Sequence, residues 1–401
     1  MNIRSLLLGS VAAAGLATTG YAADLGVVTS LDVCDELGLS GLTISSDENC
    51  LVITGGVTFE YKVGDYDPGV VYTTFARTGN TYEVDDNDFM FDSSADVDAW
   101  LKFVATSNSD FGPATATIKL ISEDNDGTAD WTVGVDEAWV GIGDTTMLMA
   151  GYKGSIFNAG DDAPLNYLGL FNSSDVDVGV GFSDENERGG AVIQLVHNLG
   201  NGLTIKGAVE DLGSAGPALL TGVGVLEYAG EGVSAHVSGS VDDWGLYNVH
   251  AGFKGTWDPI TVVGAIAANN GWWNALGSAS ATFDMFTLAV AGEATSAGEW
   301  GVGGSIGATV TDGVTLNLGS RYFDGVDDVW QAELGVSAAA TETITVTAAI
   351  GAIDGDADPL VMYGKAGLAW APGGGFTSSI EGRAQSNGAF STTFKAAKSI
   401  Q

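Results

Sequence analysis

The chain is predicted to be all-β, a transmembrane antiparallel β-barrel, and three observations predict it. Its 401 residues carry 51 acidic against 14 basic side chains, a formal charge of −37, while 45% of them are hydrophobic. A chain so charged would resist compaction, yet it holds too much apolar surface to stay disordered. Second, beyond residue 22 no stretch reaches the ~18 consecutive apolar residues of a membrane-spanning helix. Third, short segments in which apolar and polar residues alternate recur from Val52 to the C-terminus. A closed barrel reconciles the three, because its strands present one face to lipid and the other to water. Glycine at 59 and proline at 7 exclude collagen and Pro-rich low complexity. The scarcity of Lys and Arg excludes nucleic acid as a partner.

The elements follow in chain order. Residues 1–22 read as a signal peptide for Sec-dependent export: Arg4, an apolar stretch from Leu6 to Ala17, then Gly20-Tyr21-Ala22 before a cleavage site at Ala23. Residues 23–50 form an N-terminal segment holding the two cysteines, Cys34 and Cys50. In an oxidising compartment these form a disulfide, and closing so short a loop is worth about 3 kcal/mol. Zinc is a poor alternative, since the nearest histidine is His197.

Residues 51–401 are the barrel. In Val57-Thr58-Phe59-Glu60-Tyr61-Lys62-Val63 the odd positions are apolar and the even ones polar, a period of two that no helix produces. The same holds for Ala114-Thr115-Ala116-Thr117-Ile118-Lys119-Leu120, Leu203-Thr204-Ile205-Lys206, Tyr247-Asn248-Val249-His250 and Val314-Thr315-Leu316-Asn317-Leu318. Compact turns such as Asn201-Gly202, Trp257-Asp258-Pro259 and Thr311-Asp312-Gly313 alternate with longer acidic connections at 123–130 and 353–359. One short end and one long end is the arrangement of outer-membrane barrels. Between 16 and 20 runs alternate, according to whether stretches such as 70–76 and 176–182 count as strands; an even number is expected.

Several stretches resemble the general-diffusion porins of alphaproteobacteria of the Rhizobiales type. They are Met1-Asn2-Ile3-Arg4-Ser5-Leu6-Leu7-Leu8-Gly9-Ser10, Val33-Cys34-Asp35 with Asn49-Cys50-Leu51-Val52-Ile53-Thr54-Gly55-Gly56-Val57, Asp136-Glu137-Ala138-Trp139-Val140-Gly141-Ile142 with Met149-Ala150-Gly151-Tyr152-Lys153-Gly154, and Ala191-Val192-Ile193-Gln194-Leu195-Val196-His197-Asn198. The resemblance implies a sixteen-stranded barrel, a homotrimer, and passive diffusion of small hydrophilic solutes through a pore narrowed by an inward-folded loop, here about 154–189. It implies residence in outer-membrane lipid and lipopolysaccharide after handling by the barrel-assembly machinery. The chain departs from that family in finishing Phe394-Lys395-Ala396-Ala397-Lys398-Ser399-Ile400-Gln401 rather than on an aromatic residue, and in its few basic residues.

The alternation puts Lys62, Lys102, Lys119, Lys206, Lys254, Arg321, Lys365 and Arg383 on the polar side of their strands, where a cation avoids the ~2–4 kcal/mol penalty of the lipid face. Lys62, Lys102 and Lys119, with Arg321, Lys365 and Arg383, are the candidate basic wall of a pore. Opposite them the constriction loop offers Asp161, Asp162, Asp175 and Asp177, and the pair of charges would set a transverse field. The acidic excess predicts cation preference. No cofactor is expected, although Ca²⁺ or Mg²⁺ could bridge Asp85, Asp86 and Asp88, or Asp354, Asp356 and Asp358, which lack a complete EF-hand loop. His197, His236 and His250 accompany no nucleophile elbow or metal spacing, so no enzyme is expected. Trp272, Trp273, Trp300, Trp330 and Trp370 lie near strand ends, as an interfacial girdle requires. Two other readings fit parts of the pattern: a substrate-selective channel, and a secreted calcium-binding β-rich surface protein.

Overall fold

In the computed structural model the described residues are 33–400, apart from 75–76, 84–91, 125–131, 158–162, 172–188, 214–219, 326–327 and 356–357. The described part begins with a one-turn helix α1 (Val33–Glu36) and a short strand β1 (Leu42–Ser45). Then come β2 (Asn49–Asp65), a separate hairpin β3 (Asp67–Thr74) and β4 (Arg77–Glu83), β5 (Asp92–Ser107), β6 (Ala114–Asp124), β7 (Val133–Gly143) and β8 (Thr146–Gly154). After a long connection follow β9 (Gly189–Gly200), β10 (Leu203–Glu210), β11 (Thr221–Gly230), β12 (Val233–Asp242), β13 (Tyr247–Trp257), β14 (Ile260–Asn269), β15 (Trp272–Phe283) and β16 (Phe286–Thr295). The last are β17 (Trp300–Thr311), β18 (Val314–Asp324), β19 (Val329–Ala339), β20 (Ile344–Gly355), β21 (Asp358–Gly373), β22 (Phe376–Gln385) and β23 (Phe390–Ile400).

Each strand from β5 onward pairs antiparallel with its sequence neighbour, β2 pairs with β5, and β23 returns to β2. The result is a closed, even-numbered barrel of twenty strands, with no helix long and apolar enough to cross a membrane among the described residues. Twenty overturns the expectation of sixteen. Two physical reasons account for the difference. Strands β14 to β17 are rich in Gly, Ala and Ser, as in Ala275-Leu276-Gly277-Ser278-Ala279-Ser280, whose weak contrast in polarity hides the alternation. The long-end connections also shorten after β12, so residues that read as loop are strand: β20 extends to Gly355 and β21 begins at Asp358, where a seven-residue acidic connection was expected.

Along the strands the period of two is visible in burial. In β13, Tyr247, Val249 and Phe253 are exposed while Asn248 and His250 are 4% and 0% exposed. The exposed face carries Val57, Leu101, Ile118, Val140, Leu226 and Ile350, the side chains a lipid belt needs. At both ends of this belt stand exposed tryptophans: Trp273, Trp300 and Trp330 at one, Trp257 and Trp370 at the other. Trp300 and Trp330 turn their indole N–H groups to Asp324 and Asp354, at 2.7 and 3.2 Å. Trp272 is the exception to the expected girdle, since it packs among Leu170 and its apolar neighbours.

The turns explain the register. Between β9 and β10, Asn201 and Gly202 both have positive φ, 53° and 81°, the conformation that matches the twist of a two-residue hairpin. A Cβ on Gly202 would lie 2.0 Å from the carbonyl oxygen of Ala229, so glycine is required there on both counts.

Closure has a particular construction. β23 covers β2 from Asp65 to Gly55, where Ile400 is the last partner. β5 occupies the opposite edge of β2 from Gly64 down to Asn49. β1 therefore pairs on the β23 side, with Leu42 opposite Ile53 and Ser45 opposite Cys50, and continues the seam where the last strand stops. The Cys34–Cys50 disulfide, buried at both ends, fixes this strap to β2. The C34S/C50S variant is expected to lose about 3 kcal/mol of loop-closure stabilisation and to shift from folded to unfolded gel mobility at a lower temperature. An unchanged transition temperature would show that the strap contributes nothing to closure.

Candidate functional site

Function in such a molecule lies on the inner wall and in whatever leans on it. The connection between β8 and β9, residues 155–188, coincides with the expected constriction loop. Asp161, Asp162, Asp175 and Asp177 lie outside the described residues. Of its described residues, 163–171 are seated against the polar face of the distant strands. The backbone N–H of Leu165 donates to Ser278 Oγ on β15 at 2.8 Å, and that of Tyr167 to Ser305 Oγ on β17 at 3.0 Å. The Tyr167 hydroxyl donates to Glu333 on β19 at 2.6 Å. Arg321 on β18 donates through Nη1 to the carbonyls of Leu168 and Leu170, at 3.0 and 3.1 Å, with its guanidinium 3.9 Å from the Phe171 ring centre.

Apolar burial completes the seat. Leu170 fills a cluster with Val263, Ala265, Ala267, Leu276 and Ala291, and Phe171 another with Phe323, Val329, Ile353 and Val361. The wall is also cut back to receive the segment. Cβ atoms on Gly319 and Gly335 would fall 3.1 Å from Tyr167 Cδ1 and 2.3 Å from its hydroxyl oxygen. Two glycines on neighbouring strands thus form a trough for one tyrosine. Burial holds the Tyr167 phenol well above its ordinary range, and the Glu333 carboxylate adds to this, so it remains a donor.

Glu333, 2% exposed, is shared among Tyr167, Tyr363 Oη at 2.7 Å and Lys365 Nζ at 3.0 Å. Arg383 lies opposite Lys365 in register, with its guanidinium 5.2 Å from the Tyr363 ring centre. Lys365 pairs with the buried Glu333 carboxylate, which the sequence does not mark, while Arg383 stands beside Tyr363 and Arg321 is linked to that tyrosine through Gln331.

The other candidate wall residues divide differently. Lys102 and Lys119 are direct register partners on β5 and β6. Lys102 pairs with Glu137 at 3.2 Å and Lys119 with Asp136 at 2.5 Å. Lys62 does not join them: it lies eight residues up β2 from the level of Lys102, about 26 Å at ~3.3 Å per residue, and its ammonium sits 3.7 Å from the Tyr66 ring centre. Lys206 pairs with Glu227 at 2.5 Å, and Lys395, not among the candidates, with Glu60 at 2.6 Å. Lys254 shares the inner face with His250 and is exposed there. The inner wall is therefore mostly a set of local ion pairs.

The three histidines lie in β9, β12 and β13, as expected of strand residues. His236 and His250 stack with ring centres 4.9 Å apart and are joined Nε2 to Nδ1 at 2.7 Å. Among the described residues no group of three or more His, Cys, Asp or Glu is placed to hold a metal ion.

A closed barrel with an apolar belt, tryptophans at both rims and a polar interior defines an outer-membrane β-barrel, threaded through the bilayer many times. No family model matches the chain. The chain is 25% identical over 389 residues to outer membrane protein IIIA of Rhizobium leguminosarum bv. viciae, spanning 88% of this chain and 90% of that protein. It is 42% identical over 85 residues to porin Omp2a of Brucella ovis, 20% of this chain and 23% of the other. Among solved structures, a mutant Rh. blastica porin aligns over 87% of this chain and 99% of its own at 14% identity and TM-score 0.42. A loop-deletion form of OmpT, an outer membrane protein of Vibrio cholerae, aligns over 88% and 100% at 9% identity and TM-score 0.39. The chain is an outer-membrane β-barrel similar in sequence to alphaproteobacterial porins.

The Arg321→Ala variant removes both hydrogen bonds to the carbonyls of Leu168 and Leu170. Its expected effect is noisier open-channel current at unchanged folded gel mobility. Wild-type noise in a folded variant would show that Arg321 does not hold the segment.

Proposed function

We propose that the protein is a passive, water-filled diffusion channel for ions and small hydrophilic solutes, preferring cations, and narrowed by the segment between β8 and β9. The observation that carries this reading is the pairing on the inner wall. Lys102, Lys119, Lys206, Lys365 and Lys395 each have a carboxylate within 3.2 Å, so few lumen cations act as free positive charge. Against that locally balanced wall, a chain with 51 acidic and 14 basic residues keeps its excess negative charge for the mouths and connections. Such a distribution concentrates cations at both entrances.

The narrowing is supported by the bonds from residues 165–171 to β15, β17, β18 and β19, which hold the described part of the connection on the polar side of the wall. Aspartates 161, 162, 175 and 177 of the same connection are the acids that would face the opening, and Arg321, Lys365 and Arg383 the cations beside its seat. Homotrimeric assembly, contact with lipopolysaccharide and insertion by the barrel-assembly machinery belong to the same reading and rest on the likeness to alphaproteobacterial porins.

Reconstitution in planar bilayers tests it. The expected result is stepwise ohmic conductance in groups of three, with a reversal potential favouring potassium over chloride in a KCl gradient. Because the preference is electrostatic, it should weaken as salt rises from 0.1 to 1 M and the screening length falls from about 10 to 3 Å. Chloride preference, silence in folded protein, or saturable block by a single solute would each overturn the reading.

A further inference from the structure

We infer that the acid pair Asp136–Glu137 sets the ion preference of the pore by cancelling Lys102 and Lys119, and that a β-bulge makes the cancellation possible. The inference deepens the proposed cation preference and rests on it.

Two adjacent residues of a regular strand point to opposite faces. In β7 that rule would send Glu137 into the lumen and Asp136 to the lipid, beside Leu120. The register shows otherwise. Lys119 is opposite Glu137, but Leu120 is opposite Val135, and Asp136 is the extra residue between them. A bulge of this kind inserts one residue without a partner and turns its side chain out of the alternation. The outer face then keeps Val135 and Val140, both exposed, next to Ile118. Asp136 instead reaches Lys119 at 2.5 Å.

The second acid is held as firmly. Glu137 Oε2 accepts from Lys102 at 3.2 Å and from the indole N–H of Trp139 at 3.1 Å. All four charged side chains are between 24% and 31% exposed, so they stand in reach of lumen water and passing ions. Lys102 and Lys119 are directly opposed on neighbouring strands, an arrangement of like charges that is unfavourable unless neutralised. With both acids these four side chains sum to zero charge, and Lys153, 5.2 Å from the Trp139 ring centre, is the further cation beside them. Without them, the two lysines are a bare pair of positive charges on the wall.

The test compares K⁺/Cl⁻ permeability ratios from reversal potentials in planar bilayers at about 0.1 M KCl. The D136N/E137Q variant keeps shape and hydrogen-bonding capacity but removes two negative charges. At ~10 Å in screened water two charges are expected to lower the ratio by about threefold to tenfold. The reciprocal K102M/K119M variant should raise it, and the fourfold variant carrying all these substitutions should return it to near the wild-type value. A folded D136N/E137Q channel with the wild-type ratio would overturn the inference. If that variant fails to insert, K102M/K119M decides alone: an unchanged or lowered ratio refutes the inference. A silent or anion-preferring wild-type channel would instead overturn the proposed function, and the inference with it.

Discussion

Everything in this molecule depends on one constraint: in hydrocarbon no backbone N–H or C=O can be left to water, so the sheet must have no free edge. Twenty antiparallel strands meet this by closing β23 on β2. The closure joins the two ends of the barrel sequence, so it has no hairpin turn to hold it. Here the last strand stops at the level of Gly55, and β2 continues for six more residues. Those residues would present a free edge were it not for β1, which pairs with Cys50 to Ile53. A four-residue strand has little affinity of its own. The disulfide from Cys34 to Cys50 keeps it in place, so the covalent bond and the seam are two parts of one solution.

The same closure fixes what the interior can hold. A wide barrel with only side chains on its inner face leaves room beside it, and the segment 163–171 that lies against this face is attached by groups the wall supplies. Glycines at 319 and 335 lower the wall, Arg321 and Glu333 provide the donor and acceptor, and two apolar clusters bury Leu170 and Phe171. The attachment spans β14 to β21, so no single strand carries it. At Gly303, Gly319 and Gly335 the space of the missing side chains is taken by Asn166, Tyr167 and Leu168 of the segment.

Much of this was legible in the sequence, for reasons that can be stated. Alternation at Val57–Val63 or Tyr247–His250 is a direct consequence of lipid on one side and water on the other. The paired cysteines and the bounds of the long connection are marked by their own residues. The strand number was not legible, since Gly, Ala and Ser in β14 to β17 give no contrast between faces. Nor were the partners of the lysines. Glu137, Asp136, Glu227 and Glu333 come from strands one or more places away, and which carboxylate meets which ammonium depends on register. The separation of Lys62 from Lys102 and Lys119 has the same cause: all three are on the polar face, but face says nothing about height. Tyr167 and the trough that receives it are a contact between distant segments, 166 residues apart for Tyr167 and Glu333, and no local pattern announces it.

The bulge in β7 shows how the lipid side governs the water side. Asp136 and Glu137 are consecutive, and a strict period of two would place one carboxylate in the apolar belt. Removing that violation costs one unpaired residue and leaves both acids inside, where two opposed lysines already stand. The demand for an apolar exterior thus delivers a second negative charge to the lumen at the position where it neutralises a positive one. An electrostatic property of the inner wall follows from a packing requirement on its opposite face.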